Sequence, residues 1–311
     1  MNRRKKWIII TFILLFIIFG CKNKSLNRQE TTDVKVVTTF YPMYDFTKNI
    51  MGSSKNIKLL TPASVEPHDF EPSAKDIADI TSADAFIYNS DCFETWVSKI
   101  KKNIDFKQTE VINAAKGIKL MAGPLKLEEA NKKRSHQKVF DPHIWLSPKL
   151  AMKEVTNIKD GLIKKFPSKK DLFCKNAQEY LKKLEKLDND YQTAFKNAIH
   201  KKFVTQHDAF SYLARDYDLK QVAIAGFSSE EEISPARLAK LKKYMKRKDI
   251  KVVYFEERTS AKIAQILAKE VGAETLVLST LEGLTKTEQK EGKNYLSVME
   301  NNLKALKLTI K

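Results

Sequence analysis

PSKKDLFCKNAQEYLKKLEKLDNDYQTAFKNAI, running from Pro167 to Ile199 near the middle of a 311-residue chain, decides how the rest must be arranged. Ser168 reads as an N-cap, with the acidic Asp171 three residues on in the manner of a capping box. Apolar residues then recur at Leu172, Ala177, Leu181, Leu184, Leu187, Tyr191 and Phe195, along one face of a 3.6-residue period. The spacing predicts one helix over 168–199, about 45 Å long at 1.5 Å per residue. Glycine and proline are absent after Pro167, so nothing in it favours a kink. A stiff rod in mid-chain joins two lobes without permitting a wide hinge.

Both sides of the rod read as strand, loop, helix, repeated. Before it, Val34–Thr39, Ile57–Leu60, Ala85–Tyr88 and Glu110–Ile112 are short β-prone runs, separated by helical spacing at Tyr44–Met51, Ala74–Ile80 and Glu94–Lys101. After it, strands are predicted at Phe203–Gln206, Gln221–Ile224, Val252–Phe255 and Thr275–Leu278. Helices follow at Ala209–Tyr217, at Pro235–Lys246 behind the N-cap Ser234, at Ala261–Val271 and at Asn294–Leu306. Such alternation predicts an α/β fold of two lobes, each a mainly parallel sheet flanked by helices, joined by the one long helix. The expected boundaries are 34–167 for the N-terminal lobe, 168–199 for the linking helix and 200–311 for the C-terminal lobe. The chain is near the length at which one core divides into two.

The N-terminus is a different kind of sequence. Arg3, Arg4, Lys5 and Lys6 precede an apolar run from Trp7 to Phe19 that stops at Gly20 and Cys21. A positive start and an apolar stretch of roughly 13 residues, short for a permanent span of about 20, make an export signal over residues 1–20. Ile18-Phe19-Gly20-Cys21 resembles the bacterial lipobox, so Cys21 is expected to be acylated and to become the first residue of the mature chain. Acyl chains, at about 0.8 kcal/mol per buried methylene, then hold the protein on the extracellular face of the cell membrane. Residues 21–33 are polar and without periodicity, and read as a flexible tether.

Loss of residues 1–20 removes four positive charges, so the net charge falls from +18 to +14. The lysines are scattered along helical faces and no nucleic-acid module is present, which together with export excludes a nucleic-acid partner; attraction to an anionic envelope explains the charge more simply. Cys92 and Cys174 are left after the lipid cysteine. They stand in unrelated contexts and read as small core residues, although an oxidising compartment would permit a bridge.

Only five histidines occur, His68, His136, His143, His200 and His207. His68 lies in Val65-Glu66-Pro67-His68-Asp69-Phe70-Glu71-Pro72, just past a strand, and His143 in Asp141-Pro142-His143-Ile144-Trp145-Leu146-Ser147-Pro148, a proline-stiffened loop leading into a helix. His207 directly follows the strand Phe203–Gln206, and Glu282 follows the strand ending at Leu278. In open α/β sheets the groups beyond the carboxyl ends of strands line the ligand crevice. These four are the candidate metal ligands, but separations of 75, 64 and 75 residues match no short zinc motif. Taken singly, each histidine reads equally as a hydrogen-bonded loop residue. Asp141 and Asp208 are candidates to orient imidazoles, or else turn and N-cap residues. Phe40, Tyr41 and Trp145 either wall the site from water or belong to ordinary core packing.

Thr38-Thr39-Phe40-Tyr41-Pro42-Met43-Tyr44, Pro67-His68-Asp69-Phe70-Glu71-Pro72, the segment from Asp141 to Pro148, Phe203-Val204-Thr205-Gln206-His207, Ser234-Pro235-Ala236-Arg237 and Leu281-Glu282-Gly283-Leu284 occur in one order along the mature chain. In that order they resemble the metal-binding lipoproteins of bacterial ABC transporters, the cluster A-I or zinc/manganese solute-binding proteins, and most of all the zinc-binding branch of streptococci and related bacteria. The resemblance implies two lobes with the metal between them, His68 and His143 from the first and His207 and Glu282 from the second. It further implies capture of Zn2+ outside the cell and delivery to an ABC permease, by a monomer. Three imidazoles and a carboxylate suit zinc, whereas manganese branches place a carboxylate where His207 stands, and Mn(II) prefers oxygen-rich sites.

The departure from that pattern is the stretch from Leu120 to Lys138. Many zinc members carry a histidine-rich loop there, while this chain has only His136 among Lys126, Glu128, Glu129, Lys132, Lys133 and Arg134, the pattern of a solvated loop. His200 sits beside Lys201 and Lys202 and reads as a surface residue. Two other functions compete. A zinc hydrolase would keep one coordination position open for water and set a general base beside it, which a closed shell of His68, His143, His207 and Glu282 does not offer, so no enzyme is expected. Adhesion to a host matrix protein such as laminin, described for relatives of the family, would use a basic surface and could coexist with metal capture.

Overall fold

Strand β1 (Val36–Thr38) lies between β2 (Ile57–Leu59) and β3 (Ala85–Tyr88), and β4 (Glu110–Asn113) completes a four-stranded sheet of order β2-β1-β3-β4 in which every pairing is parallel. Helices α1 (Tyr41–Met51), α2 (Ala74–Thr81) and α3 (Thr95–Asn103) make the crossovers. The computed structural model describes residues 34–311 apart from 104, 124–138, 229–232, 257 and 259. The export signal, Cys21, the tether, His136 and the charged part of the loop before it lie outside the described residues.

The central strands are buried along their whole length, as parallel strands covered on both faces must be. Their side chains alternate between two cores. Val36, Ala85 and Ile87 face one, while Val37, Phe86 and Tyr88 face the other with Trp96 and Val97 of α3. Ser73 caps α2 with a full capping box to Asp76, and Gly52 ends α1 at φ +73°, a conformation that costs glycine little.

The C-terminal lobe repeats the plan. Strands β5 (Lys202–Thr205), β6 (Lys220–Ala223), β7 (Val252–Phe255) and β8 (Glu274–Val277) pair in parallel in the order β6-β5-β7-β8. Phe203 and Tyr254 face the core shared with the long helix, and Val204 and Val253 the opposite one. After α4 (Pro148–Lys165) and α5 (Lys170–Phe195), helices α6 (Ser211–Asp216), α7 (Pro235–Arg247), α8 (Lys262–Val271), α9 (Lys286–Lys290) and α10 (Tyr295–Lys307) complete the described elements. Ser234 caps α7 as expected, and Asn294 caps α10.

The long helix differs from its sequence reading in two respects. Pro167–Lys169 forms a 3-10 turn, so α5 starts at Lys170 without a side-chain cap, and it ends at Phe195, which makes it about 39 Å long. Ser168 therefore belongs to the turn that joins α4 to α5 and caps nothing. The buried stripe is Phe173, Ala177, Tyr180, Leu184, Leu187, Tyr191 and Phe195, while Leu172 is exposed. The reading chose Leu172 over Phe173 and Leu181 over Tyr180, placing the start of the face one residue early.

That stripe belongs to a single apolar cluster that takes in Val36, Phe46 and Ile87 of the first lobe and Phe203, Tyr254 and Met299 of the second. Polar contacts cross between the lobes as well. Trp145 Nε1 donates to the Thr280 carbonyl at 2.8 Å, Tyr295 Oη to the Trp145 carbonyl at 2.5 Å and Tyr212 Oη to the Asp141 carbonyl at 2.7 Å, all buried. Each such bond contributes about 0.5–1.5 kcal/mol, and breaking one in place leaves a buried polar group that costs about 1–3 kcal/mol. Cys92 and Cys174 are free and half-buried, consistent with packing roles. Among the described residues no helix is long and apolar enough to cross a membrane.

Candidate metal centre

In each sheet the strand order reverses beside the first strand of the lobe, where crossovers leave in opposite directions and the loops part to form a crevice. The carboxyl ends of both sheets open toward each other there. His207 stands two residues past β5, and its carbonyl accepts hydrogen bonds from Thr205 Oγ1 at 2.8 Å and Gln221 Nε2 at 2.9 Å. His68 is the middle residue of a one-turn 3-10 helix, Pro67–Asp69, in the loop beyond β2, where Pro67 fixes φ ahead of it. His143 precedes the 3-10 turn Ile144–Leu146. Glu282 follows β8 on a loop pinned through Ser279, whose amide donates to Asn302 Oδ1 at 2.9 Å and whose carbonyl accepts from Asn302 Nδ2 at 2.7 Å. Just before Glu282 the chain passes through Leu281 at φ +57°, a left-handed conformation that costs a leucine about 1–2 kcal/mol. The turn aims the Glu282 carboxylate inward.

All four side chains meet. His68 Nε2 and His143 Nε2 are 3.1 Å apart, and Glu282 Oε1 lies 3.5, 3.6 and 3.7 Å from the Nε2 atoms of His68, His143 and His207. One donor atom from each residue falls within 4.8 Å of all the others. A tetrahedral ion with bonds of 2.0–2.1 Å separates its ligands by about 3.3 Å, close to these edges. His143 and His207 are sealed from solvent, Glu282 almost so, and the His68 side chain keeps 13% of its surface exposed. His207 Nε2 and Glu282 Oε1 are buried with no hydrogen-bond partner. Unmet donors or acceptors of that kind cost about 1–3 kcal/mol each, and a cation between them would satisfy both.

Carboxylates behind the imidazoles set which nitrogen faces the centre. Asp141 Oδ1 accepts from His143 Nδ1 at 2.8 Å and from the His143 amide at 2.9 Å, while Glu256 Oε1 lies 2.5 Å from His207 Nδ1. With Nδ1 so held, Nε2 points inward with its lone pair available. Of the two aspartates considered from sequence, only Asp141 does this; Asp208 Oδ1 instead accepts from Ser211 Oγ at 2.8 Å, beside the start of α6. Glu256, which the sequence reading passed over, does it for His207. Its signal was its place directly after β7, where the strand-end rule that picked His207 applies equally.

Charge follows from this arrangement. Burial opposes the charge of His143 and His207, but the surrounding carboxylates, Asp141, Glu256 and Glu282, outweigh it and raise both imidazoles above their ordinary value, His207 far above it. Burial prevails at His68 and lowers it. Burial also pushes against the Glu282 charge, yet the three imidazoles gathered around it bring its pKa well below the carboxylate range. Glu66, half-buried at the edge of the centre, is pushed up to about 8 by burial and by the Glu282 charge.

Aromatic rings form the wall. Phe93 sets its edge against His68 at 4.7 Å between centroids, Trp145 lies 5.3 Å and Phe227 5.9 Å from His143, and Phe40 stands behind, packed on both Phe93 and Trp145. Tyr41 belongs elsewhere, its hydroxyl facing Asp45 at 3.4 Å. His200 is exposed, with its amide bonded to the Lys311 carbonyl.

Two parallel α/β lobes sharing one rigid helix, with a buried three-histidine, one-glutamate cluster where their strand ends meet, define a two-lobed solute-binding protein of the cluster A-I type. The chain belongs to the family described as zinc-uptake complex component A, periplasmic, whose pattern matches residues 36–308. It is similar to the high-affinity zinc uptake system protein ZnuA of Bacillus subtilis, with 47% identity over 97% of each chain. It is also similar to the zinc-binding lipoprotein AdcA of Streptococcus pneumoniae, with 44% identity over 98% of this chain but 61% of that longer protein. The crystal structure of the Zn(II)-bound ZnuA-like domain of AdcA superposes with a TM-score of 0.77 at 48% identity, covering 89% of this chain and 98% of that domain. The laminin-binding protein Lmb of Streptococcus agalactiae, described as bifunctional with adhesin and metal-transporting activity, matches at TM-score 0.77 and 35% identity, over 89% of this chain and 100% of that one.

Proposed function

We propose that the protein captures Zn2+ in a site made by His68, His143, His207 and Glu282 and delivers it to the permease of an ABC importer. The observation that carries this is the convergence of four donor atoms, buried between two lobes, at separations that suit a tetrahedral ion. Nitrogen makes up three of the four donors and no water position is left open, which favours zinc over the oxygen-seeking Mn(II). The Zn(II)-bound AdcA domain and the family's uptake role support the same cargo. The lobes as bounded above, 34–167 and 200–311 about a linking segment 168–199 that carries α5, each supply two ligands, so loading the site stiffens the interface that a permease would meet.

The structure does not favour a hydrolytic reading, because the cavity beside Glu282, about 10 Å³, has room for about one water and none for a substrate. Anchoring through an acylated Cys21 on the outer face of the membrane follows from the lipobox-like segment, and AdcA carries the lipoprotein name. The likeness to Lmb favours a second reading, adhesion through the basic surface, alongside transport. Metal content and coordination distances in protein purified without added metal, followed by titration with Zn2+, test the main reading. One equivalent held through three nitrogens and an oxygen is expected, and His143→Ala should abolish it. Tight binding retained in His143→Ala would refute the site, whereas matrix binding retained in that variant would separate adhesion from capture.

A further inference from the structure

An ion so enclosed must leave through a wall that opens. Much of the wall is core: His143 and Trp145 are wholly buried, Phe40 and Phe93 nearly so, and Trp145, in the first lobe, is hydrogen-bonded twice to the second. His68 is the most exposed of the four cluster residues, and it rides on a loop beyond β2 rather than on packed core. The movable wall is therefore the segment from Ala63 to His68.

Apart from the contacts of the cluster itself, the opposite lobe reaches that segment through the side chain of Arg258. Arg258, three residues past the end of β7, donates from Nε and Nη2 to the Ala63 carbonyl at 3.2 and 2.7 Å, and from Nη2 to the Val65 carbonyl at 3.0 Å. Its guanidinium packs against Gly283 so closely that a Cβ there would come within 2.5 Å of it. Glu66, Glu256, Arg258 and Glu282 all line the small cavity at the edge of the cluster. One guanidinium thus ties the loop bearing Glu66 and His68 to the strand end bearing Glu256, the residue that holds His207. The carbonyls it binds lie outside any helix or strand.

We propose that Arg258 is an interlobe latch whose release from the Ala63 and Val65 carbonyls lets the His68 loop swing out and sets the rate at which a divalent cation leaves the site. The assignment rests on the reading of the cluster as a cation site, and it predicts a sign that charge alone does not. A cation beside Zn2+ repels it, so removing Arg258 for its charge would slow release; removing a latch speeds it.

The test uses wild type, Arg258→Ala and Arg258→Lys, each loaded with one equivalent of Zn2+ and mixed with an excess of chromogenic chelator in a stopped-flow instrument. Release from Arg258→Ala should be at least about tenfold faster, equivalent to about 1.4 kcal/mol. Arg258→Lys, a point charge without the fork, should fall between the two. The visible spectrum of the Co2+-loaded protein should be unchanged, because the four donors stay in place. Unchanged or slower release overturns the latch, and so does a changed Co2+ spectrum, which would mean that Arg258 acts by placing the ligands. Hydrogen exchange in the ion-free proteins tests the latch without the ion: amides near Ala63 and Val65 should exchange faster in Arg258→Ala, and equal exchange overturns it. Failure of wild type to bind Zn2+ would count against the cation site itself, a separate result.

Discussion

Replacing Glu256 with glutamine probes how a carboxylate behind an imidazole governs what the imidazole binds. Glu256 Oε1 lies 2.5 Å from His207 Nδ1, and Oε2 accepts from Thr280 Oγ1 at 3.2 Å, all buried. Glutamine keeps the volume and an oxygen for the Nδ1 proton, and its amide can donate to the threonine hydroxyl once that rotates. Only the charge is lost. A hydrogen bond to a charged group contributes about 1.5–3 kcal/mol and a neutral one about 0.5–1.5, so the imidazole loses about 1–1.5 kcal/mol of support as a ligand. That is about tenfold in affinity, the lower end of the 10–100-fold usual for such partners. The full loss should appear only where the wild-type imidazole is already neutral. Glu256 is also the chief reason His207 titrates so high, and Zn2+ must displace that proton. With that charge gone, less opposes the effect of burial, and His207 stays neutral further into acid. Below its own pKa the wild type loses up to about tenfold in affinity per pH unit at His207, while the variant does not. Competition titrations with a chelator from pH 9 to pH 6 should show Glu256→Gln weaker at pH 9 and the two curves converging as pH falls. Parallel curves, or equal affinity at pH 9, would refute the reasoning.

Three further outcomes are expected. In the ion-free protein the raised pKa values of His143 and His207 add folding stability that is complete below the ordinary 6.5 and lost as pH rises through their folded values. Zn2+ needs both neutral, so the rise in Tm on adding it should shrink steadily from pH 8 to pH 5, and a gain independent of pH would count against an imidazole site. Trp145→Phe deletes the donor to the Thr280 carbonyl and should lower ion-free stability by about 1–3 kcal/mol in denaturant melts, with no effect expected if that contact does not join the lobes. Leu184→Ala, at a wholly buried point midway along α5, should cost about 2–5 kcal/mol and leave one cooperative transition, because both lobes share the core it opens; two separated transitions would show that they do not.

Local pattern made much of this protein legible. The strand and helix periods follow from burial of alternate or every third and fourth side chain, so all eight described strands and most helices lie within a few residues of their expected places. Ser234 and Asn294 mark helix starts because their side chains satisfy local amides. The entry to α5 was misread because Pro167 began a 3-10 turn, and the choice between Leu172 and Phe173 depends on how α5 lies against α4, which no local pattern encodes. His68, His143, His207 and Glu282 could be nominated one by one from their places beyond strand ends. Their gathering within 4.8 Å depends on four loops brought together by two sheets, a long-range fact. So does the pairing of His207 with Glu256, 49 residues on, and of Arg258 with Ala63, 195 residues back. Sequence determined which side chains could serve as ligands, since donor chemistry belongs to the residue. Tertiary structure alone decided which nitrogens face inward, which carboxylates hold them there and which contact closes the mouth, because each depends on the distance between atoms far apart in the chain.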